Sequence, residues 1–366
     1  MAAGESRYWF GAPLSRPTTV AALRAVHADA ASRRDDSGAD GLPITEIARR
    51  ADVSRPMAEE ALTELRERDL VVEIMPDPDA PRTVGRPAKR YRFNSEFGYV
   101  LGVDIGIHKV LALCTDLSGT LRGSHRVEVS ADLDNSSRID AARVALKRAA
   151  RAGHARLSDV LAVGVGTTGP VDPRTGEVVQ SPALLQWSGV DLRQELSGIG
   201  TGSVVAGNDA NLGALAEAWR GVAGGSSDVV YVLAGHQISV GILINGQLRH
   251  GRHGAAGEIG QLRAAGWYDA RDALRERKPV DAPDFVDALA TGIAATVLTV
   301  DPDMVVIGGG LSQAGEKLLI PLRRRLDELC MFSIPVQASQ LGERNVALGA
   351  VRLALDDLES ALFELS

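Results

Sequence analysis

From Tyr99 onward the chain runs through one order of elements twice, and this repetition constrains the fold more than any other feature. Three strand-like runs, "YVLGVDI", "KVLALCTDL" and "TLRGSHRVEVS", are joined by tight turns, the second marked by Ser118 and Gly119. A helical stretch from about Ile139 to Ala152, the apolar strand "VLAVGVG", a further strand "SVVAG" and the helix "DANLGALAEAWRGV" complete the first pass. The second pass opens with "DVVYVLAG", "SVGILING" and "QLRHG" as three strands. It continues with "APDFVDALATGIAATVL", "DMVVIGGG" and "EKLLIPLRRRLDEL" as the helix and strand alternation. Two similar α/β lobes imply a cleft between them, where ligands of such folds usually sit.

Residues 1 to about 97 have a different texture: Arg-rich, interrupted by "RRDDSGADGLP", and without parallel-strand runs. "VAALRAVHADAA" reads as a first helix, and "ITEIARRA" spaces Ile44, Ile47, Ala48 and Ala51 along one helical face. A sharp turn at Asp52 to Ser54 leads to a further helix. Ser54 is its N-cap, Pro56 is tolerated in its first turn, and Ala58, Ala61, Leu62 and Leu65 form its apolar stripe. "DLVVEIMPDPDAPRTVGRPAKRYRFN" then reads as a β-hairpin with arms Leu70 to Ile74 and Arg90 to Phe93. The sum is a winged helix-turn-helix.

The wing carries Arg82, Arg86, Lys89, Arg90 and Arg92 with no acidic residue between Arg82 and Arg92, an electrostatic footprint for phosphates. Its "GRPAKR" turn lets an extended backbone and one arginine enter a narrow minor groove, which favours A·T-rich DNA. On the helix after the turn Arg55 can read guanine, Met57 a thymine methyl and Glu60 a cytosine N4, with Thr45, Ser54 and Pro56 as further DNA-binding candidates. The acidic pair Glu59 and Glu60 is expected to repel phosphates, so binding should lean on the wing. A helical oligomerisation module would share the helices but would leave the basic hairpin unexplained.

Charge narrows the choice further. With 40 Lys and Arg against 47 Asp and Glu the net charge is -7, so a protein that coats nucleic acid wholesale is excluded, while a local basic patch is not. Cys114 and Cys330 are the two cysteines, too few for a disulfide framework or a cysteine zinc site. The first thirty residues lack a signal h-region, and no apolar run anywhere is expected to reach the roughly 18 residues that span a bilayer. A soluble, cytoplasmic protein with no membrane partner is expected.

Five segments in order, "GVDIG" at 102 to 106, "GTTGPVDPRTGEVV" at 166 to 179, "NDANLGALAEA" at 208 to 218, "GAAGEIG" at 254 to 260 and "VVIGGG" at 305 to 310, resemble the ROK family of repressors, open reading frames and sugar kinases. The resemblance implies a two-lobed actin-like ATPase (ribonuclease H-like) fold. The domains would be a winged helix-turn-helix at 1–97, one lobe at 98–210 and a second at 211–366, whose last helix returns to the first lobe. The N-terminal module marks the repressor branch.

By that resemblance Asp209 matches the kinases' catalytic base and Asn208 a sugar hydroxyl contact, with Gly169, Glu258 and Gln261 completing an effector site. Several positions depart from the kinase pattern. Ile107 and His108 stand where kinases typically carry Gly and Thr or Ser, and a β-branched residue suits a φ > 0 turn poorly. The second phosphate turn, "AGHQISVG" at 234 to 241, is bulky. Two lost cradles at about 3 kcal/mol each would cost on the order of 10⁴ in rate. Gln261 replaces a histidine that touches sugar and zinc, the cysteine cluster that follows it is missing, and Ala183 replaces a sugar-contacting asparagine.

The expectation is therefore a DNA-binding regulator, a repressor, with a degenerate kinase-like sensor, no metal and no cofactor, and Asp209 as a catalytic vestige or a helix cap. It would bind an A·T-rich pseudo-palindromic operator as a homodimer or homotetramer and respond to a sugar. The alternatives are a sugar kinase with an appended DNA-binding domain and a pseudokinase acting through protein partners. Solvated roles are expected for His108 and His236, and a structural one for the Gly308 to Gly310 run.

Overall fold

The structure, a computed structural model, describes residues 14–31, 41–74, 89–235 and 237–364. Its N-terminal module comprises α1 (Pro17–Ala31), β1 (Leu42–Pro43), α2 (Ile44–Arg50), α3 (Arg55–Glu67), β2 (Val71–Ile74) and β3 (Arg90–Phe93). Between α2 and α3 the chain reverses through Asp52 at φ 52°, and the Val53 N–H donates to the Ala48 carbonyl at 3.0 Å. Ser54 then caps α3 by accepting the Met57 N–H. Ala58, Ala61, Leu62 and Leu65 are buried along one face of α3, the last three packed with Leu23 and Val26 of α1 and Ile47 of α2. The sheet runs β1-β3-β2, all antiparallel. Alternation on β3 buries Tyr91 and Phe93 and exposes Arg90 and Arg92.

The first lobe is built on β4 (Tyr99–Ile105), β5 (Lys109–Asp116), β6 (Leu121–Glu128), α4 (Asn135–Ala152), β7 (Val160–Thr167), α5 (Leu192–Glu195) and β8 (Ser203–Asn208). Its strand order is β6-β5-β4-β7-β8, antiparallel through β4 and parallel beyond it. α6 (Asp209–Arg220) crosses to the second lobe. That lobe holds β9 (Val229–Ala234), β10 (Ile238–Ile244), β11 (Gln247–Leu248), α7 (Trp267–Arg275), α8 (Pro283–Val300), β12 (Met304–Gly309), α9 (Glu316–Leu329) and β13 (Val336–Ala338). Its order, β11-β10-β9-β12-β13, repeats the first in the same strand senses. β7 is buried at all eight positions, as a strand covered on both faces must be.

α10 (Asn345–Leu362) packs across β4, β7 and β8 of the first lobe and against α6. Its close approach depends on Gly164, where an added Cβ would stand 1.8 Å from the Ala350 carbonyl oxygen. Two elements differ from expectation. α4 begins at Asn135, four residues early, because Asp134 caps it by accepting the Ser137 N–H at 2.9 Å; the polar first turn carries no apolar period to announce it. α8 is 18 residues long with a mean hydropathy of 1.3, long and apolar enough to cross a membrane by composition, although Asp284 and Asp287 interrupt it. Half of it is buried, against α7 and α9.

Candidate functional site

Two cavities open between the lobes and meet at Asp209. The larger, of about 610 Å³, brings together all five expected effector residues, Gly169, Asn208, Asp209, Glu258 and Gln261, with Ala183 on the same wall. The smaller, of about 370 Å³, is lined by Asp104, Gly106, Ile107, His108 and Lys109, and by Asn345 at the start of α10. Thr168, Asp209, Gln237 and Ser239 border both.

Asp209 sits where β8 ends and α6 begins. The helix cap is Asn208: its Oδ1 accepts the N–H groups of Ala210 at 2.9 Å and Asn211 at 3.3 Å, and its Nδ2 donates to the Gly169 carbonyl at 3.0 Å. The expectation of Asp209 as cap is thus corrected; it is the first helical residue, and its Oδ1 takes the Ala210 N–H at 2.8 Å. Gly169 serves through its backbone, at φ 92°, where a Cβ would stand 2.1 Å from the Gln180 carbonyl oxygen.

Burial, with the nearby Asp104 carboxylate next in effect and Glu258 adding to it, pushes the Asp209 carboxyl up to about 8. Asp104 is itself raised by burial, offset in part by Lys109, whose Nζ lies 3.4 Å from its Oδ2. Glu258, in a 3₁₀ turn with Gln261, is raised by burial as well. At neutral pH Asp209 is therefore mostly protonated, able to donate as well as accept hydrogen bonds.

The turn of "DIGIHK" corrects a second expectation. Gly106, Ile107 and His108 all lie outside the left-handed region, so Ile107 is unstrained. The Gly106 N–H donates to the Lys109 carbonyl at 2.9 Å, and the fully buried Arg138 of α4 donates to the Gly106 carbonyl at 2.6 Å and the Ser130 carbonyl at 2.8 Å. The second turn is the β9–β10 hairpin, where the Gly235 N–H donates to the Gln237 carbonyl at 3.0 Å; His236 lies outside the described residues.

Sequence reasoning missed α7. Its Tyr268, Arg271 and Arg275 line the larger cavity, while Trp267, Ala270 and Ala273 pack inward. The spacing i, i+3, i+7 was the available signal.

In the N-terminal module Thr45, Ser54, Arg55, Pro56, Met57 and Glu60 are all exposed around the start of α3. Arg82 and Arg86 lie outside the described residues. The expected acidic repulsion on α3 is altered by pairing: Glu59 is 3.0 Å from Arg55, and Glu60 is paired with Arg16. On the hairpin Glu73 lies 3.0 Å from Lys89 across the paired strands and 3.1 Å from Arg66 of α3, and Arg90 donates to the Gly41 carbonyl at 2.8 Å. The module rests on the C-terminal end of α10. There His27 of α1 lies between the rings of Phe93 and Phe363, 3.6 Å from Glu359, and burial holds its imidazole below the ordinary range.

Known proteins share this architecture. A ROK structure from Streptomyces griseus, a glucokinase solved with glucose and AMPPNP, is 25% identical and superposes with a TM-score of 0.59, covering 71% of this chain and all of the kinase. A ROK transcriptional regulator, a homologue of the E. coli MLC protein, is 18% identical yet superposes with a TM-score of 0.70 over 94% of this chain and 98% of its own. A xylose repressor of Caldicellulosiruptor bescii is 22% identical over 75% of this chain and 83% of the repressor. With the ROK family profile matching residues 100–278 and 281–357, the chain belongs to the ROK family, whose members among its relatives are both repressors and sugar kinases.

Proposed function

We propose that the chain is a sequence-specific transcriptional repressor acting in the cytoplasm, in which residues 1–97 bind DNA and two ROK lobes, 98–210 and 211–366, sense a sugar or sugar derivative without phosphorylating it. One observation carries the reading: α10 joins the cleft to the N-terminal module. At its start Asn345 accepts from the Tyr231 hydroxyl at 3.0 Å, donates to Glu217 at 2.9 Å and borders the smaller cavity. About 20 to 26 Å further on, Leu358 and Leu362 share one apolar cluster with Val20, Leu23 and Phe93 of the module.

An effector held near Asn208, Asp209, Glu258 and Gln261 would change the lobe angle, move α10 and so alter the spacing of two modules on a pseudo-palindromic, A·T-rich operator in a dimer or tetramer. Asn208 would act as much by holding Gly169 and capping α6 as by touching the ligand. To carry the operator-competent state from 99% to 1% the ligand must prefer the other state by roughly 10⁴.

A second reading, a sugar kinase with an appended DNA-binding domain, is favoured by Asp209, whose raised pKa suits a general base. Equilibrium binding of Mg-ATP separates the two. The repressor reading expects no binding at millimolar nucleotide, since the side chains of Ile107 and His108 line the wall where kinases typically carry smaller residues. Binding followed by phosphoryl transfer to a sugar would restore the kinase.

A further inference from the structure

From the face that α7 turns to the cleft we infer that the effector is an anionic sugar, its phosphate or carboxylate held by Arg271 and Arg275. This inference rests on the reading of the cleft as an effector site and names the chemical class of its ligand.

The helix is segregated by charge. Tyr268, Arg271 and Arg275, spaced i, i+3 and i+7, line the 610 Å³ cavity. Asp269, Asp272 and Glu276, with the same spacing, line a separate depression beside α8. Trp267 and Ala270 anchor the helix between these faces, the Trp267 indole donating to the Leu289 carbonyl at 3.1 Å.

The cations are pre-positioned. Arg271 lies over the Tyr268 ring at 4.8 Å and 3.2 Å from Asp272, with a side chain only 22% exposed. Arg263 covers the same ring at 5.2 Å. A guanidinium held against an aromatic face keeps most of its donors free and loses little entropy on meeting a planar or tetrahedral anion.

The charges that line this cavity are Asp209 and Glu258 on the floor and Arg271 and Arg275 on α7. Burial shifts both acids toward their neutral form and holds Asp209 at about 8, so the two guanidiniums outweigh the carboxylates near pH 7 even with Glu258 ionised. A neutral sugar would leave the two arginines to share the Asp272 carboxylate, 3.2 Å from Arg271 and 3.9 Å from Arg275. A sugar carrying a phosphate or carboxylate satisfies both ends at once, its hydroxyls toward Asp209, Glu258 and Gln261 and its charge toward α7.

The test is calorimetric titration of the full chain with glucose, xylose, glucose 6-phosphate, xylose 5-phosphate, glucuronate and inorganic phosphate. The expected result is that one anionic sugar binds at least about tenfold tighter than its neutral parent, with affinity falling as salt rises. A phosphate winning over a carboxylate, or the reverse, identifies the group. Arg275→Gln, at a largely exposed position where folding is not at stake, should weaken that ligand about tenfold, as should Arg271→Gln, while Asp269→Asn on the opposite face should not. Neutral sugar binding as tightly as its anionic derivatives, untouched by either arginine variant, would overturn the anionic class and leave the sensor reading standing. Inorganic phosphate binding as tightly as the sugars would overturn it as a bare anion site. No sugar of either kind binding would overturn both readings.

Discussion

The charges of the N-terminal module and those of the cleft are managed in opposite ways. On the module, Arg55 faces Glu59 and Arg16 faces Glu60 in solvent, and an exposed Lys89 faces a half-buried Glu73. Such exposed pairs are worth about 0–1 kcal/mol and can be exchanged for DNA phosphates at small cost. In the cleft, Asp209 and Asp104 line one cavity, burial raises both, and Asp104 adds to the rise of Asp209. Buried like charges are costly to maintain. Groups kept at such a cost point to a ligand, whereas paired surface charges point to a partner that arrives with its own charge.

Breaking the link between the two regions should have the largest effect. Leu358→Ala removes a buried side chain from the cluster shared by α10 and the module, and should lower unfolding free energy by about 3 kcal/mol in chemical denaturation. It should also weaken operator binding more than any cleft substitution.

The cleft itself should show its strain through pH. Because the Asp209 carboxyl is raised to about 8 in the folded chain from 3.8, the native state binds more protons than the unfolded one across that window. Stability therefore falls as pH climbs from about 4 to 8. Asp209→Asn should flatten that slope and gain on the order of 2 kcal/mol at pH 9, with little change at pH 4, where the native carboxyl is protonated and the unfolded one only about half ionised; denaturant titrations at the two pH values measure the difference. An equal gain at both would place the effect in packing instead of charge.

On the module, the smallest effect is expected at Ser54→Ala. It deletes one exposed cap on α3, and should cost about 1 kcal/mol or less of stability, read by thermal unfolding.

Much of this was legible in the chain, and what was not has physical reasons. The periods of "ITEIARRA" and of Ala58, Ala61, Leu62 and Leu65 reported real buried faces, because helical burial writes itself into spacing. The five expected effector residues come from scattered segments yet line one cavity, since each lies in or beside a motif at a strand or turn end. Arg138 was invisible: a fully buried arginine donating to backbone carbonyls looks in sequence like any surface cation. Glu73 neutralises Lys89 across a hairpin, a partnership that depends on strand pairing and not on neighbours in sequence. The sign of φ at Ile107 depended on a hairpin closing from Gly106 to Lys109, which residue type alone does not report.

The most direct test of the central claim, a DNA reader joined to a sensing cleft, is selection of genomic fragments by the full chain at near-physiological salt, beside an Arg55→Ala, Arg86→Ala double variant. The account predicts enrichment of a small set of A·T-rich pseudo-palindromes that the variant loses. Recovery of no specific sequence, or of the same fragments by the variant, would contradict it.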